Sequence, residues 1–241
     1  MNRLSQNRVV GMLTLTVVIC LLSGPIFAQN KGKKANDATQ HSKDAAKVFN
    51  EIMGAADQSI PKELVEKAQA IAVFPGVFKA AFIFGGREGM GVISRRTPAG
   101  WSAPAFFNLG GGSFGAQIGA DKTDYVLLIM NEKGLNGLLG DKFQIGGEVS
   151  VAAGPVGREV SAATDAQLKA EILTYSRAKG AFAGLTLTGA DVRRDNDSMD
   201  AFYGHDVSTH RVLRGEVATP RSADAFIDAV RQARARAIAE K

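Results

Sequence analysis

Ser113 is the residue whose setting most resembles a catalytic one. It lies in Gly111-Gly112-Ser113-Phe114-Gly115, the G-x-S-x-G spacing that presents a hydrolase nucleophile between a strand and a helix. The residues after it do not alternate as a helix does. Phe114, Ala116, Ile118 and Ala120 fall on one face, and Gly115, Gln117 and Gly119 on the other, which is the period of a strand. The elbow needs a helix there, so a serine hydrolase is set aside. Gly110, Gly112 and Gly115 also fit G-x-G-x-x-G, and that fingerprint must likewise open a helix to hold a pyrophosphate. No cofactor is therefore expected. His205 and His210 lack the i, i+4 spacing that puts two ligands on one helix face, and His41 lies far from both. No metal site and no enzyme activity is expected.

The recurring chemistry is cationic. Lys79, Arg87, Arg95, Arg96, Lys122 and Arg158 all stand near glycine-rich segments. They read either as solvent-facing charges or as a patch for lipid phosphates or another anion. The full chain carries 29 basic and 24 acidic residues, a net charge of +5. Removing Arg3 and Arg8 with the first 28 residues leaves 27 against 24, or +3. So mild an excess fits an anionic surface and does not call for nucleic acid.

These cations must be positioned by strands. Of the 27 glycines, 18 lie between Gly76 and Gly157, separated by apolar strand-length runs. Strands are expected at Ala70–Phe74, Val77–Phe84, Met90–Arg95, Trp101–Leu109, Ser113–Ala120 and Tyr125–Met130, and later at 143–153, 171–177 and 181–188. The expected turns are Pro75-Gly76, Gly85-Gly86, Gly110 to Gly112 and Asp121 to Asp124. Short helices are expected at 61–67, 131–139 and 195–203, and a final one after Ser222. The predicted class is α+β and β-rich: a many-stranded antiparallel barrel or barrel-like sheet with flanking N- and C-terminal helices. Trp101, the only tryptophan, is expected inside it.

Residues 1–28 read as an export signal. Arg3 and Arg8 precede the apolar run Val9 to Leu22, Gly24-Pro25 breaks it, and Ala28 ends it. An uncleaved anchor is the alternative. Residues 29–42 are polar and read as a flexible tether, leaving 43–241 as a single domain. Ser42 is the expected N-cap of an amphipathic helix carrying Val48, Phe49, Ile52 and Met53 on one face. That face packs either on the core or on a membrane.

The chain resembles the SYLF-domain family, which includes fungal actin- and Las-binding endocytic proteins and secreted bacterial members. The match is carried by Ile60-Pro61, Ala72-Val73-Phe74-Pro75, Gly85-Gly86-Arg87, Trp101-Ser102-Ala103-Pro104 and Thr123-Asp124. It continues through Ala152 to Arg158, Tyr175-Ser176, Gly180 to Gly184 and Phe202-Tyr203-Gly204. The resemblance implies a compact β-rich domain, lipid binding through an N-terminal amphipathic helix and basic residues, and no catalytic motif. Actin bundling belongs to the eukaryotic members; for an exported chain, actin is not an expected partner.

The expectation is thus an exported protein of the periplasm or cell envelope, or a secreted one, that binds anionic or other membrane lipids without catalysis. Lys79, Arg87, Arg95, Arg96 and Arg158 are the expected lipid contacts, and Val48, Phe49, Ile52 and Met53 the expected helix contacts. The alternative is an envelope structural or adaptor protein that binds another protein.

Overall fold

Ala38, Ala45, Phe49 and Ile52 recur at helical spacing, and all four are fully buried on one side of helix α1, Gly24–Gly54. The computed structural model describes residues 24–55, 58–81, 84–114, 119–140, 142–147, 149–157, 169–178, 181–184 and 187–239. Most of the expected export signal lies outside the described residues. The stretch expected as a flexible tether does not: residues 29–42 continue α1. Ser42 is consequently buried within the helix instead of capping it. The helix runs on because Ala38, a turn earlier, already packs on the core, and because Lys34 reaches Asp197 in an ion pair. No helix among the described residues is long and apolar enough to cross a membrane.

After α1 come the short helix α2, Lys62–Lys67, and strands β1, Ala70–Ala81, β2, Phe84–Thr97, β3, Gly100–Trp101, β4, Ala105–Phe114, and β5, Gly119–Ile129. Helix α3 is Glu132–Leu138, capped by the Asn131 side chain accepting from the Gly134 N–H. Strands β6, Lys142–Gln144, β7, Val151–Ala153, β8, Ile172–Ala178, β9, Ala181–Gly184, and β10, Asp191–Arg194, follow. Helices α4, Asn196–Tyr203, α5, Thr209–Leu213, and α6, Asp224–Ala239, complete the described chain. Asp195 caps α4, its side chain accepting from the Ser198 N–H.

Ten strands form one sheet in the order β6-β10-β4-β2-β1-β5-β8-β7, with β3 paired to β2 and β9 to β8. The sheet curls into a half-barrel. Its ladders between named strands are antiparallel except that of β7 with β8. The single expected strand over 143–153 is therefore two, with Gly146 at φ 79° between them. Ile71 to Phe74 and Val126 to Ile129 are buried without a break, as strands covered on both faces must be. Helix α1 lies over β1 and β2, α4 and α5 lie over β4, and α6 packs on α1 and α2.

Three expected turns are in fact strand. Gly85 and Gly86 pair with Ala81 and Ala80, and Gly110 to Gly112 pair with Glu88, Arg87 and Gly86. Asp121 to Asp124 run within β5. Pro75-Gly76 is a bulge inside β1, where the register with both neighbours shifts between Phe74 and Val77. Proline has no N–H to give a ladder, and Gly76 takes φ 57°, so the pair kinks the strand without ending it. The neighbouring strand must make room for the kink. At Gly91 the Phe74 ring and the Val73 carbonyl occupy the place of a Cβ, and at Gly89 the Val77 side chain does so.

Separated motifs meet in space. The Tyr203 hydroxyl donates to the Pro104 carbonyl at 2.6 Å, and Phe202 meets Phe106 edge-on at 5.0 Å. Gly154 leaves room for the Tyr175 ring, and Gly184 lies against the Gly154 carbonyl. These residues serve close packing.

Trp101 is 5% exposed, with Arg96 above its ring at 5.6 Å. Replacing it with alanine is expected to cost about 3–5 kcal/mol in denaturant unfolding. Its emission should be that of a buried indole in the native chain; water-like emission would contradict this placement.

Candidate functional site

Strand β2 carries Arg87 near one end and Arg95 and Arg96 near the other. At about 3.3 Å per residue these ends stand roughly 26 Å apart. The basic residues expected to act together therefore form two groups with different environments.

At the first end, Lys79 of β1 stands directly opposite Arg87 of β2 and opposite Asp121 of β5. Opposed residues project to the same face, so two cations and one carboxylate share it. Lys79 and Arg87 are half-buried. On its other side Arg87 faces Gly111, which offers no side chain. The Arg87 Nε–H is buried without an acceptor among the described residues. Neighbouring like charges repel, and one exposed aspartate offsets them only in part, so the pair favours a further anion. The opposite face at this end carries Phe78, 47% exposed, between Glu88 and Lys122.

At the second end both arginines are engaged in the fold. Arg95 pairs with Glu132 at 3.7 Å, and its backbone N–H donates to Ser102 Oγ at 3.0 Å. Arg96 Nη2 donates to the carbonyls of Val65, at 3.3 Å, and Glu66. Burial, then the charge of Arg234, pushes the Arg96 guanidinium below its ordinary pKa. Arg158, the fifth expected contact, lies outside the described residues.

The expected helix contacts are placed against the core. Val48, Phe49 and Ile52 are buried under α1, and Met53 is half-buried on the same cluster. Met53 also borders a cleft of about 230 Å³ with Lys62, Gln232 and Arg236. Ser113 lies in β4 opposite Gly85, not on an elbow before a helix. His205 Nδ1 is 2.8 Å from Asp200 Oδ2 at the surface. His41 lies on α1 and His210 on α5.

One cluster escaped sequence reasoning. Asp124 Oδ1 accepts the Gly76 N–H of the bulge at 2.7 Å. Its Oδ2 accepts from Arg177 Nε at 2.7 Å and Nη2 at 2.6 Å. Arg177 also pairs with Glu51 on α1 and lies over the Phe182 ring at 5.1 Å. Burial opposes the Arg177 charge, but hydrogen bonds and charges from Asp124 and Glu51 outweigh it and raise its pKa. The available signal is an aspartate, Asp124, immediately before the apolar run Tyr125–Met130.

The model of a family described as "Ysc84: Las17-binding protein actin regulator" matches residues 110–233. Protein YSC84 of Saccharomyces cerevisiae is 35% identical over 77% of this chain and 42% of its own length. LAS seventeen-binding protein 3 of the same yeast is 33% identical over 76% and 42%. SH3 domain-containing YSC84-like protein 1 of Xenopus laevis is 32% identical over 76% and 56%. The chain thus spans about half the length of the relatives it matches.

Two expectations are corrected by these findings. The view that actin is not an expected partner is overturned by a family described as an actin regulator and by yeast relatives named for binding Las17. A periplasmic, cell-envelope or secreted location is overturned by relatives from yeasts and vertebrates, among them Protein YSC84 and a YSC84-like protein. Both expectations rested on the basic and apolar order of residues 1–28. That composition is shared by chain segments with other fates, and it carries less weight than similarity over three quarters of the chain.

Asp124→Ala is expected to lower unfolding stability by about 3 kcal/mol, because it strands the Gly76 amide and one side of Arg177 together. Asp124→Asn should recover part of this, since an amide oxygen can still accept from Gly76. Equal melting of all three chains would show that the cluster contributes nothing.

Proposed function

The chain belongs to the Ysc84 family of Las17-binding actin regulators, and from that premise we propose that it is a non-catalytic binding domain of an actin-regulating assembly. Its partner is an acidic protein surface, and it docks at the Lys79–Arg87 end of the sheet. One observation carries this reading: two half-buried cations face each other across β1 and β2, with Gly111 beside them in place of a side chain. A partner carboxylate there would meet two charged donors that the fold has not already used for packing. Arg95 and Arg96, by contrast, are occupied by Glu132 and by α2.

A second reading, an anionic lipid surface, is favoured by Phe78. An exposed phenylalanine with Lys122 directly opposite it puts an apolar contact beside a cation on one face of the sheet.

Co-sedimentation of the full chain with filamentous actin, with and without Las17, tests the first reading. The chain is expected to pellet with the filaments, and Lys79→Glu/Arg87→Glu to remain in the supernatant with its thermal melting retained. A wild-type chain that stays in the supernatant in both mixtures, or a double variant that pellets equally, refutes it. Flotation with phosphatidylserine vesicles tests the second. Lys122→Gln, the loss of one cation near the bilayer, should weaken attachment by about 1 kcal/mol, roughly fivefold, and Phe78→Ser should reduce flotation while sparing sedimentation with actin. Failure of the native chain to float removes the lipid reading alone.

A further inference from the structure

We infer that the cleft between α1, α2 and α6 is a binding site for one acidic residue of an extended partner peptide, a site that shares no residue with the Lys79–Arg87 end of the sheet. The cleft measures about 230 Å³. It exists because Ala229 and Ala233, one turn apart on α6, have side chains too short to fill the space toward α1. Met53 completes the apolar part of the lining. Asn50, one turn before Met53 on α1, adds an amide, and Gln232 adds a second from α6. Lys62, the first residue of α2, and Arg236, one turn beyond Gln232, add the charge. No carboxylate among the described residues lines it. An apolar floor, two amides and two cations from three helices thus converge on one space.

Volume limits what this space can take. At about 30 Å³ per water it holds roughly eight waters, less than the ~300 Å³ at which pockets for cofactor-sized ligands begin. That suits a single side chain with its flanking peptide groups, and it is too small for a nucleotide or a lipid chain. Charge selects an anion. The C-terminal ends of α1 and α6 lie close by, and each contributes about −0.5 charge, which leaves the two cations in excess. Arg236 pairs with no acid among the described residues, whereas Arg231 on the same helix stands 3.7 Å from Asp228. The amides select a peptide. Asn50 and Gln232 are exposed, and each side-chain amide offers an N–H and a carbonyl, the complement of a backbone peptide group. A free oxyanion would use only the donors. Met53 and the two alanines call for methylenes, which glutamate carries before its carboxylate and a phosphate lacks.

The deciding probe is blocked glutamate, N-acetyl-glutamate N-methylamide, titrated into the full chain at constant ionic strength and followed by NMR. It carries one carboxylate between two peptide groups. The expected result is a saturable shift of the Asn50 and Gln232 side-chain amides and of the Met53 methyl. Blocked glutamine has the shape without the charge, and acetate and inorganic phosphate have the charge without the peptide groups. Each should bind about tenfold more weakly than blocked glutamate, or less. Arg236 is exposed near the end of α6, so Arg236→Gln should keep the native melting temperature. It should weaken blocked glutamate about tenfold, the loss of one charge-assisted hydrogen bond. Lys79→Glu/Arg87→Glu should bind the probe as the native chain does, so failure of the actin reading leaves this site standing. Equal binding of blocked glutamine, or of acetate or phosphate, overturns the assignment to an acidic peptide residue. So does the absence of a shift at Asn50, Gln232 and Met53, or native affinity in Arg236→Gln.

Discussion

The backbone amide of Gly76 must have an acceptor, and much of the structure follows from how it gets one. Strand β1 is the central member of the sheet, paired along both edges, and Pro75 interrupts its ladder. A bulge there frees an amide that no neighbouring strand can take. Asp124 takes it, and a carboxylate in that position needs a cation, which Arg177 supplies from β8. Arg177 in turn reaches Glu51 on α1. A single defect in one strand thus fixes β5, β8 and the long helix relative to one another. The same bulge explains the glycines of β2, since Gly89 and Gly91 yield space to Val77, Phe74 and the Val73 carbonyl.

With the helix fixed in this way, its apolar face is consumed by the core. The cations that remain near the Lys79 end of the sheet differ from those near Trp101 in their neighbours. Lys79 and Arg87 face one carboxylate, and the residue paired with Arg87 on β4 is a glycine with no side chain. Arg95 and Arg96 have an acid, two carbonyls and an aromatic ring. Both groups carry positive charge. Only the acceptors nearby separate a charge that holds the fold from one that can meet a partner.

The motifs that identify the family are packing motifs. The Tyr203 hydroxyl and the Pro104 carbonyl, or Gly154 and the Tyr175 ring, lie far apart in the chain and close in space. Such contacts tolerate few substitutions because the space is filled by backbone or ring atoms.

The sequence by itself determined the α+β class, the amphipathic stripe of Val48, Phe49 and Ile52, the burial of Trp101 and the short helices near 131–139 and 195–203. Each of these is a local matter of period, side-chain size or a neighbouring amide, and local signals can be read along a chain. It misread Pro75-Gly76, Gly110 to Gly112 and Asp121 to Asp124 as turns. Turn formers acquire a different role when pairing on both edges, or an acceptor one strand away, offsets their local preference. The tether prediction failed for a similar reason, because residues 29–42 are polar yet continue a helix anchored by Ala38 and by Asp197. Tertiary structure alone decided which arginines are spent on the fold, because their acceptors lie tens of residues away: Glu132 for Arg95, the α2 carbonyls for Arg96 and Asp124 for Arg177. A charge is assigned its work by the nearest group of opposite sign, and that neighbour exists only once the chain has folded.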